Sequence, residues 1–84
     1  MQLKLELIYC AVWNYTDRAI RAMAEILNDT ELERQIESFS LVPSEGGRFE
    51  FSVNGELVYS KIKTYRHAEK GELKQLLKQH LAGK

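Results

Sequence analysis

Phe49-Glu50-Phe51-Ser52-Val53-Asn54-Gly55-Glu56-Leu57-Val58-Tyr59 is the stretch that decides the fold. Phe49, Phe51 and Val53 alternate with Arg48, Glu50 and Ser52, the period of a strand with one face in a core. Asn54-Gly55 is the pair that two-residue hairpin turns favour, because both positions need a positive φ. The chain from Glu56 to Lys63 therefore returns as an antiparallel strand.

Working outward, residues 2–9 read as another strand, with Leu3, Leu5 and Leu7 on one face and Gln2, Lys4, Glu6 and Ile8 on the other. Ala19, Ile20, Met23, Ile26 and Leu27 then recur at helical spacing, with Asp17, Arg18, Arg21 and Glu25 outward. Asn14 or Thr16 is the expected cap of this helix, and Asn28-Asp29 its end. Glu31 to Arg34 reads as a further helical turn, and the alternation from Gln35 as a strand ended by Pro43. After a polar loop from Thr64 to Ala68, Leu73, Leu76, Leu77 and Leu81 form the stripe of a last helix.

The order is strand, helix, strand, strand, strand, helix. A right-handed crossover makes the first two strands parallel, and the hairpin adds two antiparallel ones. The expectation is an α/β, thioredoxin-like domain over residues 1–84, with a mixed sheet in the order 2-1-3-4 and two helices. In that topology the end of the first strand, the Gly46-Gly47 loop and the Tyr65-Arg66-His67 loop meet at one edge of the sheet. That edge is the expected site.

Composition narrows the function. Lys plus Arg and Asp plus Glu number 12 each, so no net field favours nucleic acid or an anionic membrane. No run approaches a membrane span or a leader peptide. One cysteine permits no internal disulfide, which suits a reducing cytoplasm. His67 and His80 are too few and too poorly partnered for a metal site.

Tyr9-Cys10-x-x-Trp13, Leu41-Val42-Pro43-Ser44-x-Gly46-Gly47-x-Phe49, Val53-Asn54-Gly55-Glu56-Leu57-Val58-Tyr59-Ser60-Lys61 and Glu72-Leu73-Lys74-Gln75 together resemble the selenoprotein W/T/H (Rdx) family, nearest to its small bacterial cysteine-containing members. The resemblance implies a thioredoxin-like fold and glutathione-linked thiol oxidoreductase chemistry through Cys-x-x-Cys or Cys-x-x-selenocysteine. Cys10 stands at the first redox position. Trp13 stands at the second, where family members with selenocysteine read a stop codon. Thr64-Tyr65-Arg66-His67 departs from the Gly-Gly-Phe-Pro of bacterial members.

With no second thiol, a dithiol cycle is excluded. Cys10 is then either a monothiol nucleophile resolved by glutathione or a protein thiol, stabilised by a helix N-terminus and by Arg66 or His67, or a small buried hydrophobe. Trp13 is either a lid or ligand platform, or a packing residue on the helix. Gly46 and Gly47 supply turn angles, or let a peptide backbone approach. Lys61, Lys63 and Arg66 make a small basic patch that would protect an edge strand. The alternative to redox chemistry is a binding module using Trp13, Tyr15 and Tyr65 at the same edge.

Overall fold

The computed structural model describes residues 3–83, so Gln2 lies outside the described residues. Strand β1 (Leu3–Cys10) lies at the centre of a four-stranded sheet. It runs parallel to β2 (Ile36–Ser44) and antiparallel to β3 (Phe49–Val53), which turns back into β4 (Glu56–Ser60). The sheet order is β2-β1-β3-β4, the thioredoxin-like arrangement expected from the crossover and the hairpin. Helix α1 (Thr16–Leu27) is followed by the single turn α2 (Thr30–Glu33); a second single turn, α3 (Lys61–Thr64), precedes helix α4 (Glu72–Ala82). Two long helices were expected and are present; the further turn expected at Glu31 to Arg34 is α2, and α3 is the one addition.

Only one face of the sheet is covered. Leu3, Leu5, Leu7 and Tyr9 point into the core, while Lys4 and Glu6 stay exposed. Phe49, Phe51 and Val53 continue that core, and Leu73 and Leu77 of α4 close it. At the hairpin, Asn54 and Gly55 both take positive φ, 52° and 84°. Asn54 also ties the tip to β1: its Oδ1 accepts the Lys4 N–H at 2.8 Å, and its own N–H donates to the Lys4 carbonyl at 2.8 Å.

A bulge explains an otherwise odd burial. Phe51 pairs with Tyr59 but Ser52 pairs with Leu57, so Val58 is an extra residue on β4. The bulge puts Tyr59 in the core and Leu57 on the open side, although strict alternation would give them one face. Among the described residues no helix is long and apolar enough to cross a membrane.

Several local readings are corrected. The α1 stripe is Ala19, Ala22 and Ile26; Ile20 is half exposed and Glu25 turns partly inward. The N-cap of α1 is Tyr15, without a side-chain cap, because Asn14 is used in the left-handed region (φ 67°) to finish the preceding turn. Pro43 does not end β2, which runs on to Ser44. As an edge strand, β2 tolerates a missing N–H on its outer side. Strand β4 stops at Ser60 rather than Lys63, because Thr64 Oγ1 donates back to the Ser60 carbonyl at 3.0 Å and Tyr65 closes the turn at φ 60°. Lys61 and Lys63 therefore sit on a helical turn, not on an edge strand.

Candidate functional site around Cys10

The end of β1, the start of β3 and the end of β4 lie at one edge, since Tyr9 pairs with Phe49 and Glu50 with Ser60. Cys10 is the last residue of β1, and its side chain has 0% exposure. Its strand parity matches Lys4, Glu6 and Ile8, away from the face on which Leu3, Leu5 and Leu7 enter the core; the chain itself turns back over the strand end. Three backbone bonds hold that turn. Ala11 N–H donates to the Ser44 carbonyl (2.9 Å), Asn14 N–H to the Ala11 carbonyl (3.2 Å) and Tyr15 N–H to the Cys10 carbonyl (3.1 Å). Within it the Trp13 N–H points at Cys10 Sγ, 3.3 Å away. The first turn of α1 begins directly afterwards, with Asp17 in it.

The Trp13 ring lies on Gly47. A Cβ at Gly47 would come within 2.7 Å of Trp13 Cζ3, and Gly47 also holds φ +73°. Both the contact and the backbone angle therefore require glycine there. Gly46, at φ +75°, has open space above it and serves the turn alone. Trp13 remains 58% exposed and Tyr65 90% exposed.

From Trp13 an aromatic chain leads inward. Trp13 meets Tyr15 edge-on at 6.3 Å, Tyr15 meets His67 at 4.5 Å, and Phe49 stands behind both at 6.5 and 6.2 Å. The Lys61 ammonium lies 5.9 Å over the Tyr15 ring. Tyr15 is thus the hinge of the site, though on sequence it reads only as a contact aromatic.

The two candidate cations have other commitments. Arg66 forms a two-pronged pair with Glu72 of α4, both contacts 2.7 Å, and also donates to the His67 carbonyl at 3.1 Å. This pair raises the Arg66 pKa and holds the Glu72 carboxyl below its usual range. Burial lowers the His67 pKa, with Arg18 and Lys61 adding to the effect, so at neutral pH it is an uncharged ring among aromatics. Among the described residues no three His, Cys, Asp or Glu side chains gather as metal ligands.

His67 has a consequence for stability. Its folded pKa lies below the ordinary 6.5, so the unfolded chain takes up a proton first as the pH falls. Stability is fully present above that value and is lost as the pH drops through the folded pKa. Urea unfolding should show a lower midpoint at about pH 5.5 than at about pH 7.5, and His67→Gln should flatten this step. An equal pH dependence in the variant would assign the effect elsewhere. The lowered carboxyls of Asp29 and Glu72 act in a separate, more acid window.

A thioredoxin-like domain with one thiol, placed where the central strand runs into the first helix, is the class these features define. The model of the Rdx family matches residues 4–79, and the chain belongs to that family. It is similar to a selenoprotein W-related protein from Vibrio cholerae, with 28% identity, a TM-score of 0.84, and coverage of 94% of this chain and 96% of that one. A protein from Bordetella parapertussis shares the fold, with 24% identity, a TM-score of 0.83, and coverage of 93% and 96%. No curated protein gives a significant match.

Proposed function

We propose that the protein is a thiol-based redox protein that works through Cys10 alone. Membership of the Rdx family and the likeness to a selenoprotein W-related protein support a thiol-redox role at the level of the family. The observation that carries the finer reading is the Trp13 N–H directed at Cys10 Sγ, 3.3 Å away, just ahead of a helix N-terminus. The N–H gives the sulfur a hydrogen-bond donor within the turn that covers it. In the reaction, Cys10 thiolate attacks a disulfide R–S–S–R, forms Cys10–S–S–R and releases R–S⁻. A second thiol, glutathione or a protein thiol, then attacks the mixed disulfide and returns Cys10 as thiolate. Arg66 and His67 border this edge, but the reading does not rest on their charge.

Because Cys10 is covered, attack follows opening of the 11–14 turn, whose residues are themselves exposed. Iodoacetamide alkylation of the native protein, compared with the unfolded chain, tests the reading. The native chain should be alkylated at Cys10 without denaturant, and glutathione disulfide should add one glutathione to Cys10. A thiol inert until the chain is unfolded would overturn it.

A second reading draws on the 58% exposure of Trp13, whose N–H meets the buried thiol, and the 90% exposure of Tyr65 on the turn after β4. Here the edge is a contact surface for a protein or peptide, and dithiol chemistry has been lost. Cys10→Ser separates the two, since it abolishes thiol exchange but leaves such binding intact.

A further inference from the structure

A cavity of about 350 Å³ opens between α1 and the 67–70 segment leading into α4. Phe49 and Leu73 give it an apolar floor, and Arg18, Arg21, Glu25 and His67 stand on its walls. Glu69 and Lys70 lie at the same opening and offset each other in charge. Cys10 does not line it, so it is a place apart from the thiol.

Two buried atoms on these walls lack hydrogen-bond partners: Glu25 Oε2 and His67 Nδ1. They are the buried side-chain polar atoms left unpaired among the described residues. The Glu25 carboxylate is held in place, since its Oε1 accepts the Gly71 N–H at 3.0 Å. Its free oxygen can only accept, so it calls for an N–H donor. Arg18 and Arg21 make no ion pair among the described residues, so both guanidinium groups are free to take a carboxylate. Along α1, Arg21 lies one turn and Arg18 two turns before Glu25, about 6 and about 10 Å of helix rise. An extended peptide of two or three residues covers roughly 7–10 Å.

We propose that this cavity binds a short free peptide of two or three residues. Its amino terminus donates to Glu25, its carboxylate is held by Arg21 and Arg18, and an apolar side chain rests on Phe49 and Leu73. The ligand needs no sulfur, and the proposal is independent of the redox reading.

The test is an amide-shift titration of the full, isotope-labelled chain with glycyl-leucine, N-acetyl-glycyl-leucine and glycyl-leucinamide. Saturable shifts at residues 18–25 and 67–71 are expected with the free peptide, with affinity about tenfold weaker when either end is blocked. Glu25→Gln keeps an acceptor for Gly71 but removes the charge, and Arg21→Gln changes an exposed side chain; each should weaken binding about tenfold with the spectrum still dispersed. The blocked peptides decide the matter on the parent protein should a variant not fold. No saturation up to roughly 10 mM, or blocked peptides that bind as well as the free one, would overturn the proposal.

Discussion

Replacing Trp13 by cysteine should convert the single thiol into a pair that closes to an internal disulfide. The Trp13 backbone N lies 3.3 Å from Cys10 Sγ, so a sulfur carried on position 13 starts within the short reach that a disulfide requires. The tight turn from Ala11 to Asn14 is already formed, and removing the indole frees the surface of Gly47. Mild oxidation of the variant should remove two hydrogens from its intact mass without dimer, and a dithiol reductant should restore them. The parent protein, with one cysteine, gains no internal crosslink under the same treatment. Two free thiols after oxidation, or only intermolecular dimers, would mean that the turn holds the two positions apart.

The largest loss of stability is expected from Phe51→Ala. Phe51 has 0% exposure, pairs with Leu7 on β1 and Tyr59 on β4, and lies 6.1 Å from the Phe39 ring. Removing such a ring costs about 3–5 kcal/mol through lost burial and the cavity left behind. A chain of this length has on the order of 4–12 kcal/mol in total, so the variant should lose at least about a quarter of its stability. Urea unfolding at fixed pH checks this, with Phe51→Leu as the control that should cost under about 1.5 kcal/mol. A loss below about 1 kcal/mol for the alanine variant would show that the core closes around the gap.

The sheet was legible because two local rules determine it. Asn54-Gly55 forces the β3–β4 hairpin, and the handedness of the crossover makes β1 and β2 parallel. The meeting of Cys10, Gly47 and His67 at one edge follows from strand direction alone. The misreadings arose where two patterns overlap. Lys61-Ile62-Lys63 alternates as a strand would, and only the Thr64 hydroxyl and the left-handed Tyr65 reveal a helical turn. Ile20 is more apolar than Ala22, yet it is Ala22 that shares the core-facing stripe of Ala19 and Ile26 at three- and four-residue spacing. Burial of Cys10 was not legible, because its strand parity is that of exposed Lys4 and Glu6. Its cover is the chain that follows it, held by backbone bonds that carry no residue signature. The Arg66–Glu72 pair spans six positions between a loop and a helix, a spacing that no helical or strand period marks.

Trp13 is the single tryptophan, and it belongs to the turn over the thiol rather than to the core. The indole emission is therefore a local signal, from a ring that lies on Gly47 and a residue whose N–H meets the sulfur. A change in indole emission with the far-ultraviolet dichroism unchanged would follow the turn opening while the sheet stays whole. Under the proposed monothiol reading, the chain thus carries its own optical probe of the opening that would expose Cys10.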